Sequence, residues 1–219
     1  TWESEYREVH QKAAVLYRKQ ARFKLISTGK ISQKQLQFED QHLERLTKAS
    51  RYFAYPFDPE ELGQKIEEEC RVCNVNQDYR LRITLSKSGE MELSRQILTP
   101  LSPSFCQAKL CLQKADLHQA FTYFKTTHRP HLNLDKQEII YHNAAGELLE
   151  TSIGNLILKI NGKLYTPPTS QGILPGIYRQ HLLETGQVKE KIMTLEDLNQ
   201  AEAIYGCNAV RGLYELKVI

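Results

Sequence analysis

Three places in the second half of the chain carry residue types suited to chemistry. Lys125 lies in Phe121-Thr122-Tyr123-Phe124-Lys125-Thr126-Thr127, an aromatic-rich stretch that reads as a strand. A lysine amine withdrawn from water gives up its proton more easily and becomes able to form a Schiff base. Glu150 ends the apolar run Leu148-Leu149-Glu150-Thr151, where it either faces solvent or pairs with a buried cation. Leu174-Pro175-Gly176-Ile177-Tyr178-Arg179 opens a helix behind a proline and a glycine. Its first amide groups have unpaired donors and the positive end of the helix dipole to offer a phosphate. Each of the three also has an ordinary structural explanation, and none alone names an activity.

Other chemistries find less support. The five cysteines, Cys70, Cys73, Cys106, Cys111 and Cys207, are an odd set in a chain large enough to fold without cross-links, so free thiols are expected. Cys70-Arg71-Val72-Cys73 has C-x-x-C spacing, but no second pair follows to complete a zinc site, and it lies in a charged, helix-like stretch from Gln64 to Val75. With 29 basic and 26 acidic residues, a net charge of +3 and no long block of one sign, the chain lacks the electrostatic footprint of a nucleic-acid binder. No apolar run approaches the roughly 20 residues of a membrane helix, and the opening Thr1-Trp2-Glu3-Ser4-Glu5 does not resemble a secretory leader, so a cytoplasmic location is expected.

The elements that must position these residues follow from periodicity. Trp2, Tyr6, Val9, Ala13 and Leu16 form a helical stripe within residues 1–22, read as a helical segment or fusion linker. Residues 23–104 are read as a small domain. It starts with a short strand, Phe23 to Ile26, a polar loop through Gly29, and a helix with the stripe Leu43, Leu46, Ala49 and Phe53. Asp58-Pro59-Glu60-Glu61 then starts a second helix that runs to about Cys73, with Asp58 as cap and Glu61 placed for a capping box. Tyr79 to Leu85 alternates apolar with Arg80, Arg82 and Thr84, and Ser88-Gly89 turns it into a partner strand near Met91 to Leu93. Pro100 to Ser104 is the most linker-like stretch, and residues 105–219 are read as a larger domain. Its strands are Ile139 to Tyr141, Leu148 to Thr151, Leu156 to Ile160 and Leu164-Tyr165, with late helices after Pro175-Gly176 and after a capping box from Thr194 to Asp197.

Taken in order, several of these segments resemble the class IV aminotransferase and lyase family of fold-type IV pyridoxal 5'-phosphate (PLP) enzymes. The series is Phe23 to Thr28, His42-Leu43-Glu44-Arg45-Leu46, Tyr79 to Leu85, Lys125-Thr126-Thr127, Glu150-Thr151-Ser152-Ile153-Gly154-Asn155-Leu156, Thr166-Pro167-Pro168, Leu174 to Ile177 and Cys207-Asn208-Ala209-Val210-Arg211-Gly212. Lys-Thr-Thr followed 25 positions later by Glu-Thr-Ser-Ile-Gly-Asn is the specific part. The wording is most similar to aminodeoxychorismate lyase, including lyase domains fused to aminodeoxychorismate synthase component I, whose tail residues 1–16 also resemble.

The resemblance implies an α+β fold of two α/β domains with PLP in the cleft between them, and a homodimer with component I as a further possible partner. Lys125 would be the Schiff-base lysine and Glu150 the carboxylate facing the pyridine nitrogen. Arg45, the amides of Ile177 and Tyr178, and Asn208 would hold the phosphate. A surface charge on a helix is the plain alternative for Arg45. Thr28, Arg80, Arg82 and Arg211 are candidate substrate contacts, and alternation on an exposed strand explains Arg80 and Arg82 equally well. The implied reaction releases pyruvate from aminodeoxychorismate to leave 4-aminobenzoate. Three departures bear on this. Gly29 and Lys30 stand where related lyases have methionine and arginine, Ser27 replaces a common glutamate, and Pro130 replaces a tyrosine of aminotransferase relatives. The alternatives are a class IV aminotransferase acting on branched-chain or D-amino acids, and a non-catalytic domain attached to a synthase.

Overall fold

The computed structural model describes residues 22–113, 120–132 and 137–219. The helical stripe from Trp2 to Leu16 lies outside the described residues. A four-stranded antiparallel sheet comes first, built from β1 (Leu25–Ser32), β2 (Gln35–Leu36), β3 (Tyr79–Leu85) and β4 (Met91–Ile97) in the order β2-β1-β3-β4. Between β2 and β3 run helices α1 (Glu39–Phe53) and α2 (Pro59–Arg71). Alternation in β1 and β3 assigns the two faces. Leu25, Ile31, Leu81, Ile83 and Leu85 form a core with Leu46 and Ala49 of α1 and Leu62 and Ile66 of α2. Burying one such leucine or isoleucine contributes about 1.5–3 kcal/mol. Ile26, Thr28, Arg80 and Arg82 take the opposite face.

The strand expected to stop at Ile26 instead runs through Gly29 to Ser32. It pairs with β3 from Leu25↔Leu85 to Ile31↔Tyr79. Gly29 belongs in the strand because a Cβ there would stand 2.5 Å from His42 Nε2, so glycine allows α1 to approach the sheet. Helix α2 is capped as expected by Asp58, which accepts from the amides of Glu60 and Glu61, but it ends at Arg71.

The second half supplies β5 (Gln107–Leu112), α3 (Ala120–Tyr123), β6 (Glu138–His142), β7 (Leu148–Thr151), β8 (Asn155–Ile160), β9 (Lys163–Thr166), α4 (Ile177–Glu184), β10 (Val188–Glu190), α5 (Leu195–Gln200), β11 (Ala203–Asn208) and β12 (Gly212–Val218). The eight strands run β10-β9-β8-β11-β12-β5-β6-β7, and β7 returns to pair with β8. Six strands therefore close into a ring, sealed at Glu150↔Asn155. Ala108, Ile140, Leu148, Leu156, Leu158 and Leu216 pack together in its core. The Thr194 capping box at α5 is present. All five cysteines are unpaired. No helix among the described residues is long and apolar enough to cross a membrane.

The lysine segment is not a strand. Ala120–Tyr123 is one helical turn, after which the chain extends and Thr126 makes a single antiparallel bridge to Leu25. Ile26 N–H donates to Lys125 O at 2.9 Å, Thr127 N–H donates to Lys24 O at 2.9 Å, and Lys24 N–H donates to Thr127 Oγ1 at 2.8 Å. The aromatic residues before Lys125 pack on the first half: Phe121 meets Phe23 edge-on, and Phe124 meets Phe53 edge-on and Tyr52 at a tilt. The segment thus folds against β1 and α1, despite following the linker-like Pro100 to Ser104 in sequence.

Candidate active site

Between the two sheets lies a cleft of about 360 Å³. One wall is the open face of β1 and β3, with Ile26, Thr28, Arg80 and Arg82. Arg45, the Lys125 segment, Glu150 with the turn after it, Leu174 to Gly176 and the loop from Asn208 to Arg211 complete it. Among the described residues six basic side chains line the cleft, from Arg45, Arg80, Arg82, Lys125, Arg129 and Arg211, against the single carboxylate of Glu150. Such an imbalance favours an anionic ligand.

Burial and the neighbouring arginines, Arg45 foremost, push the Lys125 ammonium well below the ordinary lysine range. Glu150 is buried and its carboxyl is pushed up to about 7, chiefly by burial; Arg129 and the Leu174 amide pull the other way. Its Oε2 accepts from Leu174 N–H at 3.3 Å, whereas Oε1 is buried without a hydrogen-bond partner. Glu150 therefore does not face solvent.

The turn that follows Glu150 is held from behind. Glu138, fully buried on β6, accepts from Ser152 Oγ at 2.5 Å, from Ile153 N–H at 3.2 Å and from the Tyr214 hydroxyl at 3.2 Å. A Cβ on Gly154 would stand 2.5 Å from Cys207 O, so glycine lets this turn lie against β11. Asn155 Nδ2 donates to Leu174 O at 2.8 Å and fixes the approach to α4, whose cap Gly176 has no room for a Cβ beside Asn155 Oδ1.

Arg45 is not a surface charge. Its Nη2 donates to Pro175 O at 2.7 Å, which brings the guanidinium to the start of α4, and burial together with Arg129 pushes its pKa down to about 10. Ile177 and Tyr178 are the first two residues of α4, directly after the cleft-lining Gly176. Asn208 lines the cleft, but its side chain is engaged locally: Oδ1 accepts from Val210 and Arg211 N–H, each at 2.9 Å, and Nδ2 donates to Ile153 O at 3.4 Å. These contacts brace the loop and leave one Nδ2 N–H without a partner among the described residues. Arg80 and Arg82 make no hydrogen bond or ion pair among the described residues; both line the cleft, Arg80 exposed and Arg82 half-buried. Arg211 donates to Thr99 O.

Arg129 was missed by the sequence reading, as were Glu138 and Asn155 as supports. Arg129 stands four positions after Lys125, in His128-Arg129-Pro130-His131, where a basic residue beside prolines and histidines reads as a loop. The nearest signal was that polar cluster itself, directly after an aromatic run.

The chain matches the family model described as amino-transferase class IV over residues 24–219. A curated protein of Schizosaccharomyces pombe, provisionally named aminodeoxychorismate lyase, is 23% identical over 187 residues, covering 78% of this chain and 79% of its own. A solved structure from Mesorhizobium loti, provisionally named an amino-acid aminotransferase, has a TM-score of 0.77 and 26% identity over 90% of this chain and 100% of its own. Another from Haemophilus somnus 129pt, provisionally named 4-amino-4-deoxychorismate lyase, has a TM-score of 0.71 and 25% identity over 89% and 100%. These structures share the mixed α/β fold. With the model matched from the first strand to the last residue, this chain belongs to the class IV amino-transferase family, whose members are PLP-dependent aminotransferases and lyases.

Proposed function

We propose that the chain is a PLP-dependent 4-amino-4-deoxychorismate lyase, releasing pyruvate and 4-aminobenzoate. The observation that carries the reading is one cleft holding a lysine of depressed basicity, a buried carboxyl and three arginines, Arg80, Arg82 and Arg211, with no carboxylate partner among the described residues. A substrate with two carboxylates matches those arginines.

The residues present fit PLP. Lys125 would carry its aldehyde carbon, the unpartnered Glu150 Oε1 would meet the pyridine nitrogen, and Arg45 with the amides of Ile177 and Tyr178 would hold the phosphate. When bound, the cofactor supplies an electron sink for a carbanion at the substrate's nitrogen-bearing carbon. Lys125 would hold the cofactor through its amine, which substrate binding would leave free. The free Lys125 amine would remove the proton from that carbon and return a proton to the departing enolpyruvyl group, which leaves as pyruvate. Glu150, as a carboxylate, would support a protonated pyridine nitrogen. Arg80, Arg82 and Arg211 orient the substrate carboxylates.

Incubating the PLP-loaded protein with 4-amino-4-deoxychorismate is expected to yield pyruvate and 4-aminobenzoate in equal amounts, and Lys125→Ala is expected to abolish both. Amino transfer to 2-oxoglutarate or pyruvate with no 4-aminobenzoate would instead favour an aminotransferase, the reading supported by the likeness to the Mesorhizobium loti protein. The same proposal includes a homodimer and association with aminodeoxychorismate synthase component I, to be checked by light scattering and co-purification.

A further inference from the structure

We propose that Arg129 is a positioning residue for the reaction, whose guanidinium favours the ionised form of Glu150 so that this carboxylate can support a charged pyridine nitrogen. The proposal rests on the cofactor reading of the same cleft. Both residues line that cleft, and Glu150 reaches it from the seam of the strand ring, where burial disfavours its charged form. An ionised carboxylate there needs compensation. Leu174 N–H reaches Oε2 over a long 3.3 Å, and Oε1 has no hydrogen-bond partner.

The groups around Glu150 can be named element by element. On β8 the paired residue is Asn155, which is neutral and turned to Leu174 O. On β6 the titratable neighbour is Tyr141, whose phenol interacts electrostatically with Arg129. The segment after α3 brings Lys125, whose basicity burial lowers, together with Arg129 and His131, whose own proton affinity Arg129 further reduces. Among the described residues no second carboxylate lines the cleft. Arg45, Arg80, Arg82 and Arg211 line the same cleft, but the guanidinium whose charge acts on Glu150 is that of Arg129, without a direct ion pair among the described residues. Its Nε is buried and has no hydrogen-bond partner. A guanidinium stays charged where a lysine or histidine would not, so the compensation survives burial.

Without Arg129, only the Leu174 amide opposes burial, and Glu150 would be a neutral acid at neutral pH. A neutral acid cannot stabilise positive charge on the pyridine nitrogen, and the electron sink would be weakened with Lys125 still in place.

The test uses the protein without cofactor, so its outcome does not depend on which reaction is catalysed. Infrared difference spectra across a pH titration follow the protonated-carboxyl band that Glu150→Gln removes. In the wild type the band is expected to disappear around pH 7. In Arg129→Gln its midpoint is expected to rise by about one to three pH units, the usual effect of losing a nearby opposite charge. Arg129→Lys is expected to give an intermediate midpoint and supplies the comparison if Arg129→Gln does not fold. An unchanged midpoint in a folded Arg129→Gln protein, or an Arg129→Lys midpoint identical to wild type with Arg129→Gln unfolded, would overturn the proposal and leave Arg129 a purely structural residue. A lyase assay that fails while the midpoint shifts would sink the reaction and leave this inference standing.

Discussion

Lys125 and Glu150 are displaced from their ordinary protonation states by the same cause, burial, and each moves toward its neutral form. Both groups line the same cleft, a lysine of lowered basicity and a carboxyl poised near neutrality. His42 shows the same physics away from the cleft. It is fully buried between α1 and β1, its Nδ1 is 2.7 Å from Ser27 Oγ, and burial with the nearby Arg45 and Lys125 pushes its pKa down to about 3. A histidine neutral in the fold and titrating near 6.5 when unfolded contributes stability that is present above pH 6.5 and lost as pH falls toward 3. Glu150 acts with the opposite sign: its contribution is complete below 4.5 and lost as pH rises through about 7. The two partly cancel between 4.5 and 6.5, so the comparison must be with a variant. His42→Gln is expected to flatten the acid limb of urea-derived stability by up to about 1.4 kcal/mol per pH unit relative to wild type. An acid limb identical in both proteins would contradict the assignment.

At the scale of elements, glycines and caps decide where the site's backbone can go. Gly176 has no space for a side chain beside Asn155, and it sets the start of α4 next to Arg45. Gly176→Ala is expected to weaken PLP binding by at least about tenfold, equivalent to about 1.4 kcal/mol, as read by fluorescence titration. The position of Asp58 makes a purely structural prediction. Asp58→Ala is expected to lower stability by about 1 kcal/mol without changing PLP affinity, because it removes the cap of α2 on the far side of the small sheet. Most elements named by periodicity exist, since α1, α2, β3 and β6 to β9 each carry their own apolar pattern or turn signal. The elements that escaped carry weak local signals. In β5, Gln107–Leu112, only Ala108 is buried, and the stretch becomes a strand by parallel pairing with β12 and β6. The aromatic run before Lys125 has strand-like residues but folds as a helical turn, because its rings pack on Phe23, Tyr52 and Phe53 of the other half.

Across the whole molecule, the cleft is made by residues from both sheets and by a lysine segment that belongs to one half in sequence and packs on the other in space. A ligand bridging Lys125, Arg45 and the start of α4 joins these parts, so PLP is expected to stabilise the whole fold. At a PLP concentration about 100 times its dissociation constant the gain is about 2.7 kcal/mol, seen as a raised melting temperature in calorimetry. Lys125→Ala is expected to lose most of that gain while the melting temperature without PLP changes little. A melting temperature indifferent to PLP in the wild type would count against the cofactor site.

By itself the sequence determined the inventory: a lysine among aromatics, a strand-end carboxylate, a glycine-led helix and an ordered family resemblance linking them. Those are properties of residue type and order, which need no fold to be read. Only the tertiary structure decided which arginines matter. Arg45 leaves the surface reading because Pro175 receives its guanidinium, Asn208 also braces its own loop, and Arg129 enters the cleft from a loop with no pattern of its own. The reason is physical: charge, burial and hydrogen-bond partners are set by residues distant in sequence, and the field at Glu150 exists only once β7, the Lys125 segment and the approach to α4 are brought together.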